Sequence, residues 1–170
     1  VPVVTTIMGR GAISTLHPLY IGNLGMHGSF AANNAVSNCD LLFSIGTRFN
    51  DRITGRAHEF APNAQIVHID IDTASISKNI QVDIPIVAKE ALTRMAEYVE
   101  ENHCTKWLAK IEDWKKEHPL VMRPNNRMSP MDIIGEMNRQ FDEALIVTDV
   151  GQHQMLISQY ADITEKKQLV

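Results

Sequence analysis

An α/β fold, with helices covering both faces of a parallel sheet, is what this 170-residue sequence predicts. Three observations predict it. Short apolar, β-branched runs alternate with helix-patterned segments along the chain. Those runs are apolar on both pleat faces, as strands covered from both sides are. Glycines and charged side chains gather where the runs end, and open parallel sheets hold ligands there.

Taken in order, "VPVVTT" (1–6) reads as a strand. "SFAANNAVSNC" (29–39) reads as a helix, with Phe30, Ala31, Asn34, Ala35 and Asn38 on successive turns. "DLLFSIG" (40–46) and "AQIVHIDID" (64–72) are strands, and "ASISKNI" (74–80) is a short helix-like segment. "VDIPIV" (82–87) is a further strand, placed at an edge by Pro85, which has no amide hydrogen for a ladder. From Lys89 to about His118 the apolar spacing is helical, with a break near "NHCT". "HPLVMRPNNRMSP" (118–130) holds three prolines and little periodicity, so it reads as a linker. "SPMDIIGEMNRQF" is a helix with Ser129 as cap, Pro130 in the first turn and Asp132 near the positive end of the dipole. "ALIVTDVG" (144–151) is a strand leading into a turn, "GQHQMLISQYA" begins a helix, and "KKQLV" is where a new strand could begin.

Composition excludes several classes. The formal net charge is −4 with both signs mixed, so nothing draws the chain to nucleic acid or an anionic membrane surface. The apolar runs are far too short to cross a bilayer as helices. Cys39 and Cys104 have no metal-type spacing and no paired framework, which points to a reduced, cytoplasmic setting. The chain opens on Val1 without a signal sequence, and the expectation is a piece of a longer protein.

The candidate chemistry lies at three strand ends and one loop. In "SIGTRFNDRITGR", Gly46 permits close backbone approach, and Arg48 and Arg52 would share a face of a helical turn. Their guanidiniums suit phosphate; the competing reading is a surface turn in which Asp51 neutralises an arginine. In "HIDID", Asp70 suits ribose hydroxyls, whereas Asp72 suits a helix cap. "TDVGQHQM" places Gly151 at a helix start, whose free amides form either an anion site with Gln152 and His153 or a plain capped terminus. "LGMHG" offers backbone amides and one imidazole, His27, which by itself reads as a packed or solvated residue. No G-x-G-x-x-G fingerprint, no Ser-His-Asp order and no metal-ligand cluster is present in the sequence. These residues predict a phosphate-bearing ligand, and they name no reaction.

The segments "VPVVTTIMGRGA", "HPLYIGNLGMHGSFAANNAV", "DLLFSIGTRFNDRITGR", "IVHIDID" and "VTDVGQHQM" resemble the acetolactate synthase (acetohydroxyacid synthase) large subunit family. They stand in the family's order and cover nearly the whole chain. The resemblance implies a Rossmann-like central domain lacking its first strand (1–118), a linker (119–130), and the opening helix-strand-helix of a thiamine diphosphate-binding domain (131–170). It implies FAD beside Thr6, Ile7, Met26 and His27, with Gly46, Arg48, Arg52 and Ile53 on its ribityl-diphosphate portion and Asp70 and Ile71 at the adenosine end. It also implies thiamine diphosphate at Gly151, Gln152 and His153, and Asp51 near the active-site entrance. The activating glutamate and the Mg²⁺ ligands of the family belong to parts this chain does not resemble, so no catalytic or metal residue is expected within it, and the chain by itself is expected to be inactive.

The implied reaction decarboxylates pyruvate and joins the two-carbon unit to a second 2-oxoacid, pyruvate or 2-oxobutyrate, with FAD as a structural element. The implied partners are further copies of the chain and a regulatory small subunit. A glyoxylate carboligase and a non-catalytic nucleotide-binding module are the alternative readings. Three departures from the family pattern stand out: Asn50 replaces an acid, Val87 runs directly into Ala88 and Lys89 where the family has Gly-Asp-Ala-Lys, and the glycine turn after the family's first strand is missing.

Overall fold

The computed structural model of the protein describes residues 1–87, 91–121 and 128–170. The chain divides into two compact units, residues 1–32 with 105–170, and residues 33–104. These divisions cut the chain at other places than the expected linker at 119–130, of which residues 122–127 lie outside the described residues.

In the first unit, β1 (Val3–Thr5) pairs in parallel with β2 (Tyr20–Asn23). The connection between them carries a 3-10 turn, Ile7–Gly9. The sequence reading does not contain β2, because "YIGN" is four residues long, includes a glycine, and offers no usable period. α1 (Phe30–Asn38) follows, and the division between the two units falls within it. α4 (Thr105–Glu117) buries Ile111 and sets Trp107 edge-on to Trp114 at 5.7 Å. α5 (Pro130–Gln140) starts as its sequence dictates. The Ser129 hydroxyl accepts from the Asp132 N–H, and the Asp132 carboxylate accepts from the Ser129 N–H at 2.7 Å. β6 (Ala144–Ile146) pairs in parallel with β7 (Lys167–Leu169), and α6 (Gln152–Tyr160) connects them. Ile134, Ala161 and Ile163 form the core beneath α5 and α6. Burying an isoleucine such as Ile163 contributes about 2 kcal/mol.

In the second unit, β3 (Leu41–Ile45), β4 (Gln65–Ile69) and β5 (Ile84–Ile86) form a parallel sheet in that order. β4 is the middle strand and is buried from Ile66 to Ile69, as the two-faced apolar pattern requires. β5 takes the edge, where Pro85 costs no ladder bond. β3 departs from the expectation of cover on both faces, because Leu41 and Ile45 are exposed while Ser44 on the other face is buried. α2 (Asp51–Thr54) is a single turn, and α3 (Ala91–Ala96) is short. The long helical pattern from Lys89 does break as expected, with Cys104 in the left-handed region at φ 43° before α4 begins. Lys89 itself, and the departure at Ala88 and Lys89, lie outside the described residues.

Segment 74–80 is not helical, contrary to its pattern. The Asp72 carboxylate takes the Ala74 N–H at 3.0 Å and the Ser75 hydroxyl at 2.9 Å, and Ser77 sits at φ 57°. The acid therefore closes a turn, and the left-handed residue ends any helical path. The 3-10 turn Ala57–Glu59 lies in the connection from α2 to β4.

Candidate functional site

The carboxyl ends of β3 and β4 carry the residues that matter in the second unit. Gly46 follows β3 at φ 63°, and its N–H donates to the Ile69 carbonyl at 2.8 Å, extending the ladder by one bond. A side chain at Gly46 would meet open space, so glycine is required here by backbone conformation and not by crowding. Phe49 is the anchor of the turn that follows. It is buried, it adopts φ 47°, and its ring packs edge-on to Phe60 at 5.7 Å and to His68 at 5.0 Å. A bulky residue in this region is strained, and burial of the ring offsets the strain. With Phe49 turned inward, Arg48 on one side and Asn50 on the other are exposed. The sequence reading overlooked this anchor; its signal was one aromatic inside an otherwise polar turn.

Arg48 and Arg52 do not share a helical face. Asn50 is the N-cap of α2, so Arg48 precedes the helix and only Arg52 belongs to it. Both guanidiniums are exposed, as are Asn50 and Asp51, while Ile53 is half-buried. Asn79 donates to the Arg48 carbonyl at 2.8 Å, tying this turn to the segment after β4. The Ala74 N–H and the Ser75 hydroxyl hold the Asp72 carboxyl below its usual range, and the charges of Arg48 and Lys78 add to this. Arg48 therefore faces the acidic segment in charge as well as in chain path.

Asp70 and Asp72 have separate duties. Asp70 accepts the Asp72 N–H at 2.9 Å through Oδ1, and its Oδ2 lies 3.8 Å from His68 Nε2. Its side chain is only 10% exposed. Asp72 caps a turn and not a helix, which corrects the helix-cap reading. Ile71 between them is 68% exposed, an apolar side chain presented to the outside at a strand end.

Within the first unit, Thr6 caps the 3-10 turn after β1, accepting the Gly9 N–H at 3.2 Å, and Ile7 is half-buried. The loop after β2 folds back on its own strand. Gly28 donates to the Gly25 carbonyl at 2.8 Å and Ser29 to the Asn23 carbonyl at 2.9 Å. Any side chain at Gly28 would collide with the Asn23 carbonyl oxygen, so the loop holds Met26 and His27 out. Both are exposed, and the His27 carbonyl accepts from Gln159 Nε2 at 2.6 Å. Gly151 is the N-cap of α6 with no side-chain partner for the helix amides. A Cβ on Gly151 would stand 2.9 Å from His153 Cε1, so the imidazole lies directly over the glycine. Gln152 and His153 are exposed beside those amides.

Thr6, Ile7, Met26 and His27 thus belong to the first unit, as do Gly151, Gln152 and His153. Gly46, Arg48, Arg52, Ile53, Asp70 and Ile71 belong to the second. Among the described residues, no group of three or more His, Cys, Asp or Glu could hold a metal ion, and no helix is long and apolar enough to cross a membrane.

Comparison with known proteins places this geometry in context. Residues 1–95 match the family model described as thiamine pyrophosphate enzyme, central domain. The acetolactate synthase large subunit of Cyanidium caldarium is 45% identical over 99% of this chain and 31% of its own length. That of Porphyra purpurea is 38% identical over 98% of this chain and 30% of its own. That of Lactococcus lactis subsp. lactis (strain IL1403) is 37% identical over 100% of this chain and 30% of its own. The chain therefore spans just under a third of the length of these curated relatives.

Proposed function

From the premise that the chain belongs to the thiamine pyrophosphate enzymes, shown by the central-domain match over residues 1–95, we propose that it forms part of an acetolactate synthase large subunit. The whole enzyme would decarboxylate pyruvate and join the two-carbon unit to pyruvate or 2-oxobutyrate. Identity to proteins of that name along practically the whole chain supports this reading. The domain roles proposed are a central domain over 1–118 and the start of a thiamine diphosphate-binding domain over 131–170. A cytoplasmic setting, a homo-oligomer and a regulatory small subunit complete the proposal.

The residues present fit the groups proposed for them. The Gly46 turn is open at the end of β3, and Arg48 and Arg52 are exposed beside it. These suit the diphosphate of FAD, since exposed guanidiniums at a strand end make charge-assisted bonds to phosphate. Ile53 would pack beside the ribityl chain, and Asp70 and Ile71 would take the adenosine end. The Asp70 carboxylate already accepts one backbone N–H, so it is oriented before a ribose hydroxyl arrives. Thr6, Ile7, Met26 and His27 would face the flavin. Gly151 leaves the α6 amides without a side-chain cap, which suits the diphosphate of thiamine diphosphate, with Gln152 and His153 adding donors.

Thiamine diphosphate supplies the electron sink on which loss of carbon dioxide depends. This chain's residues bind and orient. Arg48 and Arg52 supply fixed positive charge, and the α6 terminus supplies oriented amides. Asp51, exposed at the start of α2, would face the entrance that 2-oxoacids use. By the resemblance, the Mg²⁺ that accompanies thiamine diphosphate would take its ligands from a part of the enzyme outside this chain.

The single observation that carries the binding reading is the Gly46–Arg52 turn, folded over a buried Phe49 and linked in charge to Asp72. FAD titrated into the 170-residue chain, followed by flavin fluorescence and calorimetry, tests it. Binding is expected to be weak, since the glycine turn of the family is missing, but saturable and one-to-one, and weakened at least about tenfold further by Arg48→Ala with Arg52→Ala, because each charge-assisted bond contributes about 1.5–3 kcal/mol. Binding that survives the double change unaltered would refute the role of the arginines.

A further inference from the structure

Arg10 is not among the residues assigned above, and its setting is unusual. It is buried, 9% exposed, and it lines a cavity of about 240 Å³ in the first unit. Its Nη1 donates to the Tyr20 hydroxyl at 2.8 Å and to Asn23 Oδ1 at a long 3.5 Å, and its Nη2 donates to the Ala161 carbonyl at 2.6 Å. The guanidinium also lies 5.9 Å from the centre of the Tyr20 ring. All of these partners are neutral. Among the described residues no carboxylate forms an ion pair with Arg10.

A buried cation without a counter-charge is costly, several kcal/mol even after relaxation. A guanidinium has five N–H donors in a planar fork. The bonds above leave two of them over, the Nε–H and one hydrogen on Nη2. Nε is buried and, among the described residues, has no acceptor. Nε–H lies on the side-on edge of the fork, where Nε and Nη2 are spaced to match the two oxygens of a carboxylate. Lys115 also lines the cavity, with Nζ 3.4 Å from the Tyr20 carbonyl and 2.7 Å from the Glu112 carboxylate. Asp162 is the one acid on the described wall. Glu112 already pairs with Lys115, so among the described residues Arg10 is the cation of this wall that no ion pair meets.

We propose that the cavity beside Arg10 is a binding site for a small monocarboxylate. The carboxylate takes the free Nε–H of Arg10, and the Lys115 ammonium, shared with Glu112, lies on the same wall as a further N–H donor. Asp162 disfavours a dianion, so the site prefers a carboxylate to phosphate. The assignment is independent of FAD, of thiamine diphosphate and of any enzymatic activity.

Propionate, its uncharged isostere propionamide, and inorganic phosphate serve as probes. Each is titrated into the 170-residue chain at constant ionic strength, and backbone amide resonances are followed. Propionate should move the amides of Arg10, Tyr20, Asn23 and Ala161 saturably, and propionamide should not. Arg10→Met should weaken propionate at least about tenfold, the loss expected when a charge-assisted bond is removed. Lys115 is half-buried on α4 and Met keeps its aliphatic stem, so Lys115→Met should keep the fold and weaken binding several-fold. If Arg10→Met does not fold, the propionamide comparison and Lys115→Met decide the matter. Equal responses to propionate and propionamide, or a response to phosphate without one to propionate, would overturn the proposal. So would the absence of saturation below the concentration at which salt alone moves the same resonances, which would leave the cavity as a water site.

Discussion

His68 is fully enclosed in the second unit, and among the described residues neither of its ring nitrogens has a hydrogen-bond partner of ordinary geometry. It faces Phe49 edge-on, stands in register with Ser44 on β3 and Pro85 on β5, and lies 3.8 Å from Asp70, too far for a hydrogen bond. The Ser44 hydroxyl is likewise buried without a partner. Burial pushes the imidazole below its ordinary value of 6.5, and Asp70 and the Thr47 backbone pull the other way without prevailing. The sign follows from linkage. A folded value below the unfolded one means that the unfolded chain binds the extra proton, so folding stability falls as the solution is acidified. The contribution of His68 is fully present above about pH 6.5 and is lost as pH falls through the lowered value. Urea midpoints at pH 7.5 and 5.0 should therefore differ less for His68→Leu than for the unchanged protein. An identical pH dependence in both would show that His68 is not the group responsible. The sequence presents His68 as one more residue of "HIDID", and only the register with Ser44 and the packing of Phe49 reveal its isolation.

Elements with a local cause were legible from sequence, and elements fixed by contacts were not. The start of α5 is written in Ser129, Pro130 and Asp132, and the structure has each in its expected place. Ser129→Ala should cost about 1 kcal/mol, the usual worth of a helix cap, seen as a lower urea midpoint with an unchanged slope. No change in midpoint would mean that packing of Ile134 and Ile163 sets the helix by itself. β2 is the counter-example: it exists because it pairs with β1, and nothing within "YIGN" announces it. Segment 74–80 failed for the opposite reason. Its pattern is helical, but the Asp72 carboxylate holds the amide and hydroxyl of the next residues in a turn. At the site, Gly46 and Arg52 were legible by type and position, whereas the separation of Arg48 from α2 depends on Phe49 turning inward.

At the scale of the whole molecule, parallel pairing of every described strand agrees with the α/β class predicted from the alternating pattern. The residues proposed for FAD are divided by chemistry as well as by unit. The second unit carries the arginines and Asp70, which suit phosphate and ribose, and the first carries Met26 and His27, which suit a flat ring. This division makes a simpler ligand informative, because ADP has the diphosphate and adenosine of FAD without the flavin. The most direct measurement is an amide-resonance titration of the 170-residue chain with ADP, followed by FAD. The account predicts that ADP moves Gly46, Arg48, Arg52, Asp70 and Ile71, and that FAD moves these and also Thr6, Ile7, Met26 and His27. Titrations in which neither ligand moves the Gly46–Arg52 turn would contradict it.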